Sequence, residues 1–215
     1  MSHANSAHYV AKLHLLPGDV VFDIGANAGF VSAELASVAG QVFAFEPNPD
    51  VIDWLRNHAL PNVQIVQKAV SDRCGTATLH IDVREGTAAV ASSLMHLSGM
   101  EDQTRPIEVE TITVDAFAEA TGFLPDLIKI DVEGFEPQVI AGARAVIERR
   151  RPIIIFELWE AQWENYRSMI ETLSHLYYLV RVSNGEAAIP YYDASLRDGI
   201  DDILCIPRRA IAATS

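Results

Sequence analysis

Residues 20–29 read Val-Val-Phe-Asp-Ile-Gly-Ala-Asn-Ala-Gly, and the rest of the chain can be laid out from them. Val20, Val21 and Phe22 form a short apolar strand that ends in an acid, Asp23. A turn carrying Gly25 and Gly29 follows, and an amphipathic helix opens near Phe30. Glycine takes positive φ at little steric cost and leaves out a Cβ where a ligand must come close. The first turn of a helix holds N–H groups that can meet such a ligand. Strand, glycine turn and helix start, in this order, are where open α/β sheets bind nucleotide-like cofactors.

The same turn narrows the choice of cofactor. The dinucleotide fingerprint puts glycine at the first, third and sixth positions. Here Gly25-Ala26-Asn27-Ala28-Gly29-Phe30 has Asn at the third and Phe at the sixth. A pyrophosphate needs the bare backbone that those glycines give. Asp23 would repel phosphates and attract an amino group. A molecule with adenosine at one end and an amino acid at the other, S-adenosylmethionine, fits better. The plain alternative is a strand–turn–helix junction that binds nothing.

The sequence has 215 residues, 49% hydrophobic and 21% charged, the mixture of an ordinary globular protein. That length suits one domain over 1–215, with flexible ends at 1–8 and 208–215. A formal charge of −13 argues against a nucleic-acid partner, which would need clustered Lys and Arg. The one basic cluster, Arg149-Arg150-Arg151, falls at an expected helix C-terminus, where cations suit the dipole. Two cysteines, Cys74 and Cys205, make neither a disulfide framework nor a zinc site, and Cys205 sits in an apolar run. The first residues lack the pattern of a signal peptide, and no apolar stretch is long enough to span a membrane. A cytoplasmic setting is expected.

A second strand, 41–45, ends in Glu46-Pro47-Asn48-Pro49. An acid about 20 residues beyond the first glycine can accept hydrogen bonds from ribose hydroxyls. Asp50 should cap a helix to His58. Strand 63–70 carries the turn Gln67-Lys68-Ala69, expected beside the adenine. Residues 76–83 and 107–114 alternate and should pair as an added hairpin around a loop, 86–101, that holds Ser93 and His96. Residues 126–133 (DLIKIDVE) form an inner strand whose Lys129, if buried, must find a carboxylate. Asp131 and Glu133 converge at its tip. A helix over 136–149, a fifth strand 152–160, a helix to 176 and strands at 177–182 and 201–206 complete the chain. This alternation predicts an α/β fold: a doubly wound, mostly parallel sheet of seven strands, Rossmann-like, with one strand antiparallel.

With these runs in view the chain resembles the FkbM family of S-adenosylmethionine-dependent methyltransferases. The runs are VVFDIGANAGFVS, FAFEPNP, ASSL, ITVDAF, DLIKIDVEGFEPQVIAGA and RPIIIFE, covering about 20–157. The resemblance implies methyl transfer to an oxygen, less often a nitrogen, of a small molecule, sugar or glycan. It implies that Asp23, Gly25, Ala26, Asn27 and Gly29 cradle the methionine end and Glu46 holds the ribose. Pro47, Asn48, Lys68 and Ala69 would flank adenine, with Ser93 and Asp131 near the sulfonium. The segment beyond 157 would carry acceptor specificity.

An alcohol acceptor reacts poorly until it loses its proton, so a base within reach should help. Asp131 is the first candidate, with Glu133, Glu157 and His96 behind it. Asp131, Glu133 and Glu157 are also the residues that a divalent metal would use, although such carboxylates occur at strand ends without metal, and no metal is assigned. Two competing functions remain: a nicotinamide-dependent oxidoreductase, opposed by Asn27 and Phe30, and a non-catalytic protein that binds S-adenosylmethionine.

Overall fold

Val20–Ile24 (β1) pairs in parallel with Gln41–Phe45 (β2) on one side and with the inner strand 127–130 on the other. The computed structural model describes residues 12, 14–82, 92–94, 104–159, 163–183, 186–190 and 200–208. Further strands are Val63–Val66 (β3), Ala69–Val70 (β4), Gly75–Asp82 (β5), Ser92–Ser93 (β6), Thr104–Ile112 (β7), Leu127–Ile130 (β8) and Ile153–Trp159 (β9). Tyr177–Ser183 (β10), Glu186–Pro190 (β11) and Ile200–Pro207 (β12) follow. The helices are Phe30–Ala36 (α1), Pro49–His58 (α2), Val114–Thr121 (α3), Glu136–Ala141 (α4), Arg144–Arg150 (α5) and Trp163–Leu176 (α6).

The main sheet runs β11-β10-β12-β9-β8-β1-β2-β3. From β3 to β9 all neighbours are parallel, and β12 lies antiparallel to both β9 and β10. Those seven strands with one reversed are the expected pattern. An eighth strand extends it: β11 pairs antiparallel with β10. Without it the backbone groups along the outer side of β10 would lack ladder partners.

The first strands are apolar on both faces because helices cover both. Phe22, Phe43, Phe45 and Phe117 of α3 meet edge to face on one side, with centroids 4.9–5.6 Å apart. On the other side Val21, Val42, Leu127 and Ile155 pack with Leu35 and Ala36 of α1. Cys205 is buried in the first of these cores, and burial pushes its thiol up from the usual value.

Three boundaries differ from the expected ones. The strand expected over 63–70 splits: β3 stays in the main sheet, and β4 joins a second sheet, β4-β7-β5-β6. In that sheet β5 and β7 form the expected hairpin, and β6 adds a two-residue strand from the 86–101 segment. The cap of α2 is Asn48, whose side chain accepts from the Asp50 amide at 3.0 Å. Pro49, which has no N–H to leave unsatisfied, takes the first helical position. The helix expected over 136–149 breaks at Gly142, where a Cβ would stand 2.1 Å from the Ser71 carbonyl oxygen. Asp115 of α3 then caps the second piece, accepting from the amides of Ala145 and Val146 at 2.9 Å each.

Candidate active site

The turn after β1 is fixed by its neighbours on the sheet. Gly25 and Ala26 both donate their amides to the Phe45 carbonyl at 3.0 Å. Gly25 has φ +77°, and a Cβ there would lie 1.8 Å from the Asp131 carbonyl oxygen. At Gly29, φ is +82° and a Cβ would meet Leu55 Cδ1 at 2.3 Å. Both glycines therefore answer to the packing of the chain itself.

Asp23 is enclosed by the protein itself. It is fully buried, accepts from the Ser32 hydroxyl, and its Oδ1 stands 3.0 Å from Lys129 Nζ. Lys129 also donates to the Gly25 carbonyl at 2.7 Å and lies 3.5 Å from Asp131 Oδ2. Burial alone would lower the Lys129 pKa, but the carboxylates of Asp23 and Asp131 outweigh it and hold the group above its ordinary value. The inner-strand lysine has thus found the carboxylate it needs. It uses Asp23 to do so, and that charge does not face the cleft.

The cleft lies over the carboxyl ends of β1, β2 and β8. Its walls include Gly25, Asn27, Glu46, Pro47, Lys68, Ala69, Asp131 and Glu133, together with apolar Val70, Leu79, Leu94 and Phe135. Of the expected site residues, these first eight come together. Asp23, Ala26, Gly29, Asn48 and Ser93 stand behind the walls: Ala26 packs with Ala44 and Leu55, and the Ser93 hydroxyl donates to the Glu133 carbonyl at 3.0 Å. His96 lies outside the described residues.

Glu46 closes the cleft on the β2 side. Its two oxygens accept from the amides of Asn27 at 2.8 Å and Asn48 at 2.7 Å, so it locks the glycine turn to the strand end. Burial raises its pKa, and those two amides partly oppose the rise. Asp131 follows the last residue of β8, and Glu133 sits in the turn after it with φ +55°. Glu133 is pushed up to about 7, first by burial and then by the charges of Asp131, Glu157 and Glu136. Glu157, near the end of β9, is likewise raised to about 7 by burial and by Asp131, against a 2.8 Å hydrogen bond from Trp159 Nε1. Among the described residues no three His, Cys, Asp or Glu side chains are grouped as metal ligands.

Two positioning residues, Glu136 and Tyr166, escape the sequence reading of the site. Glu136 is fully buried under the Asp131–Gly134 turn, where one oxygen accepts from the amides of Val132 at 3.0 Å and Gly134 at 3.3 Å. Its other oxygen accepts a short bond from the Tyr166 hydroxyl of α6. Burial raises Glu136, and burial with the Glu136 charge raises Tyr166. In sequence Glu136 looks like an ordinary acid in a helix first turn, and the only signal for it is its place directly after the turn, beside Pro137.

Residues 23–180 match the family model described as the methyltransferase FkbM domain. The chain belongs to the FkbM methyltransferase family. Among FkbM-type relatives, hexuronic acid methyltransferase AglP of Haloferax volcanii is 28% identical over 138 residues, 64% of this chain and 55% of that protein. The 2-O-methyltransferase NoeI of Sinorhizobium fredii is 30% identical over 164 residues, 68% of each. The chain thus matches little more than half the length of the first and two thirds of the second. The crystal structure of methyltransferase FkbM from Methylobacillus flagellatus KT has the same fold, with a TM-score of 0.57 at 13% identity, covering 87% of this chain and 43% of that one. No helix among the described residues is long and apolar enough to cross a membrane.

Proposed function

We propose that this chain transfers a methyl group from S-adenosylmethionine to a hydroxyl oxygen of a small molecule, sugar or glycan, by in-line displacement. The observation that carries the reading is the cleft over β1, β2 and β8, where carboxylates of Glu46, Asp131 and Glu133 face apolar walls. That set of side chains suits the donor. Glu46 keeps free lone pairs for ribose hydroxyls. Pro47, Ala69, Val70, Leu79 and Leu94 offer apolar surface to a purine. Asp131 offers a negative charge to an ammonium or sulfonium.

A dinucleotide fits less well. The positions freed by Gly25 and Gly29 are already filled by Asp131 and Leu55. The one basic side chain on the walls, Lys68, is in a 2.7 Å ion pair with Glu110. The family match supports the same choice.

The donor supplies an electrophilic methyl, whose bond to sulfur breaks as its bond to the acceptor oxygen forms. The protein has two tasks, aligning that oxygen and taking its proton. Glu133 takes the proton, because a carboxyl held near 7 balances basicity against ionisation at neutral pH. Asp131, tethered by Lys129, is the fixed charge beside the methyl. Two neighbouring acids in different environments thereby acquire different roles.

Calorimetric titration with S-adenosylmethionine and, separately, NADH tests the cofactor. Binding of the first alone is expected, and binding of NADH alone would overturn the reading. Formation of S-adenosylhomocysteine on adding an acceptor library distinguishes an enzyme from a protein that only holds the donor.

A further inference from the structure

Glu136 is fully buried beneath the turn that carries Asp131 and Glu133. With Glu133 at φ +55°, the amides of Val132 and Gly134 converge on one Glu136 oxygen, at 3.0 and 3.3 Å. Converging amides of this kind bind anions, and here the chain supplies its own carboxylate. The other oxygen accepts from the Tyr166 hydroxyl. A backbone hydrogen bond from Trp159, at the end of β9, bears on the Tyr166 oxygen. With that amide donating to it, the phenol gives its own proton to Glu136. All three partners of the carboxyl are therefore donors, the surroundings of an ionised group. Burial pushes the Glu136 pKa up, and the bonds from the phenol and the amides oppose the rise.

No cation accompanies this charge. The one buried lysine, Lys129, is 3.0 Å from Asp23 and 3.5 Å from Asp131, and among the described residues no ion pair reaches Glu136. The titratable groups that face it are Glu133 in the turn, with Asp131 at the turn's other end, Glu157 on β9 and Tyr166 on α6. An acid suits a first helical turn, but that gain is small beside the cost of burying a carboxylate without a cation. A glutamine could satisfy the same amides and phenol through its oxygen and its amino group. The charge thus exceeds what the turn needs. It also reaches the cleft: after burial and nearer acids, Glu136 adds to the rise of both Glu133 and Glu157.

Resting on the methyl-transfer reading above, we infer that Glu136 is a specificity-determining charge, which makes the cleft prefer the cationic donor to its neutral product. S-adenosylmethionine and S-adenosylhomocysteine differ by one methyl and by the positive charge on sulfur. Glu136 lines no part of the cleft and acts through space. Its three hydrogen bonds fix it before any ligand arrives, so its field costs no reorganisation when a sulfonium enters. In the transfer the C–S electron pair stays on sulfur, the methyl passes to the acceptor oxygen, and that oxygen's proton goes to Glu133. Sulfur is then neutral, Glu136 no longer attracts it, and the product leaves more readily than the donor.

The first measurement needs neither ligand nor variant. Carboxyl-carbon NMR of the whole chain, with glutamates labelled and assigned through the backbone, should show Glu136 ionised at about pH 7. A protonated Glu136 there would overturn the inference. Calorimetry then compares the unaltered chain with Glu136→Gln, which keeps the shape and removes the charge. Affinity for S-adenosylmethionine should fall about fivefold, and affinity for S-adenosylhomocysteine by about twofold at most. An equal loss for both ligands, or no loss for either, would reduce Glu136 to a brace for the turn and end the inference. Tyr166→Phe removes one bond and keeps the carboxylate, so it should weaken both ligands alike. A selective loss of S-adenosylmethionine in that variant would move the preference from the charge to the bond. Should neither ligand bind the unaltered chain, the donor assignment fails by itself. The reach of the charge is then read from the Glu133 carboxyl, whose midpoint at about 7 should move down in Glu136→Gln; a midpoint that stays put would sink it.

Discussion

Asp23 and Glu133 are both acids at the carboxyl edge of one parallel sheet, and the fold treats them in opposite ways. Asp23 is fully buried, with Lys129 Nζ 3.0 Å away and the Ser32 hydroxyl donating to it. Glu133 is partly open to the cleft and stands among other acids, with Lys129 only a minor influence. Burial and the neighbouring acids Asp131, Glu157 and Glu136 push it up to about 7. The difference lies in where the chain places its one buried lysine. Charge compensated on the β1–β8 seam makes a rigid support, and charge left uncompensated beyond it makes a group that can exchange protons.

The largest effect expected from upsetting this contrast is on stability. Lys129→Met leaves Asp23 buried without a cation beside it, a change that costs about 3–5 kcal/mol. Urea denaturation monitored by circular dichroism should show it, and an unchanged midpoint would mean that Asp23 is not held by this pair. Next comes Glu133→Gln, which should lower kcat about 100-fold or more, the scale of one general base, with little change in donor affinity. A variant with near-normal kcat would move the base to another residue.

Ser32→Ala removes the other partner of Asp23 and should cost about 1–3 kcal/mol, less than losing the lysine. An equal or greater loss would reverse the ranking of the two partners. The pH dependence follows from the other acid. With Glu133 as base, kcat/KM should rise with pH through about 7. Thermal stability should move the other way. Glu133 and Glu157 hold protons more tightly folded than unfolded, so stability declines as pH climbs from the ordinary carboxyl value of 4.5 toward 7. The smallest effect is the most specific: Glu157→Gln removes a nearby charge and should shift the acid limb of kcat/KM to lower pH by about half a unit. A limb that stays fixed would show that the two carboxyls do not communicate.

The sheet was largely legible in the sequence because its signals are local. Apolar runs at 20–22, 42–45 and 153–155 are short enough to read as strands covered on both faces, and glycine or proline stands close to them. What the sequence hid depends on contacts between distant segments. Nothing near Gly142 announces that Ser71 must approach it, so one helix was expected where there are two. The acid Asp23 reads as a ligand-facing charge until Lys129, more than a hundred residues away, is seen beside it. Gly25 and Gly29 carry the same ambiguity: a glycine tells of a close approach but not of what approaches. Glu46, Asp131 and Glu133 were found because strand tips gather at one edge in any parallel sheet. Glu136 was missed because its role lies beneath the turn, among backbone amides.

The bond from Tyr166 to Glu136 has a practical consequence for anyone exchanging acceptor preferences among relatives. The turn that presents Asp131 and Glu133 is braced by a hydroxyl from α6, a helix beyond the β9 boundary at which a specificity segment would naturally be cut. A chimaera joined after residue 157 inherits a foreign helix, and unless that helix brings a phenol to the same spot, the turn that carries Asp131 and Glu133 will sag although neither of them was replaced.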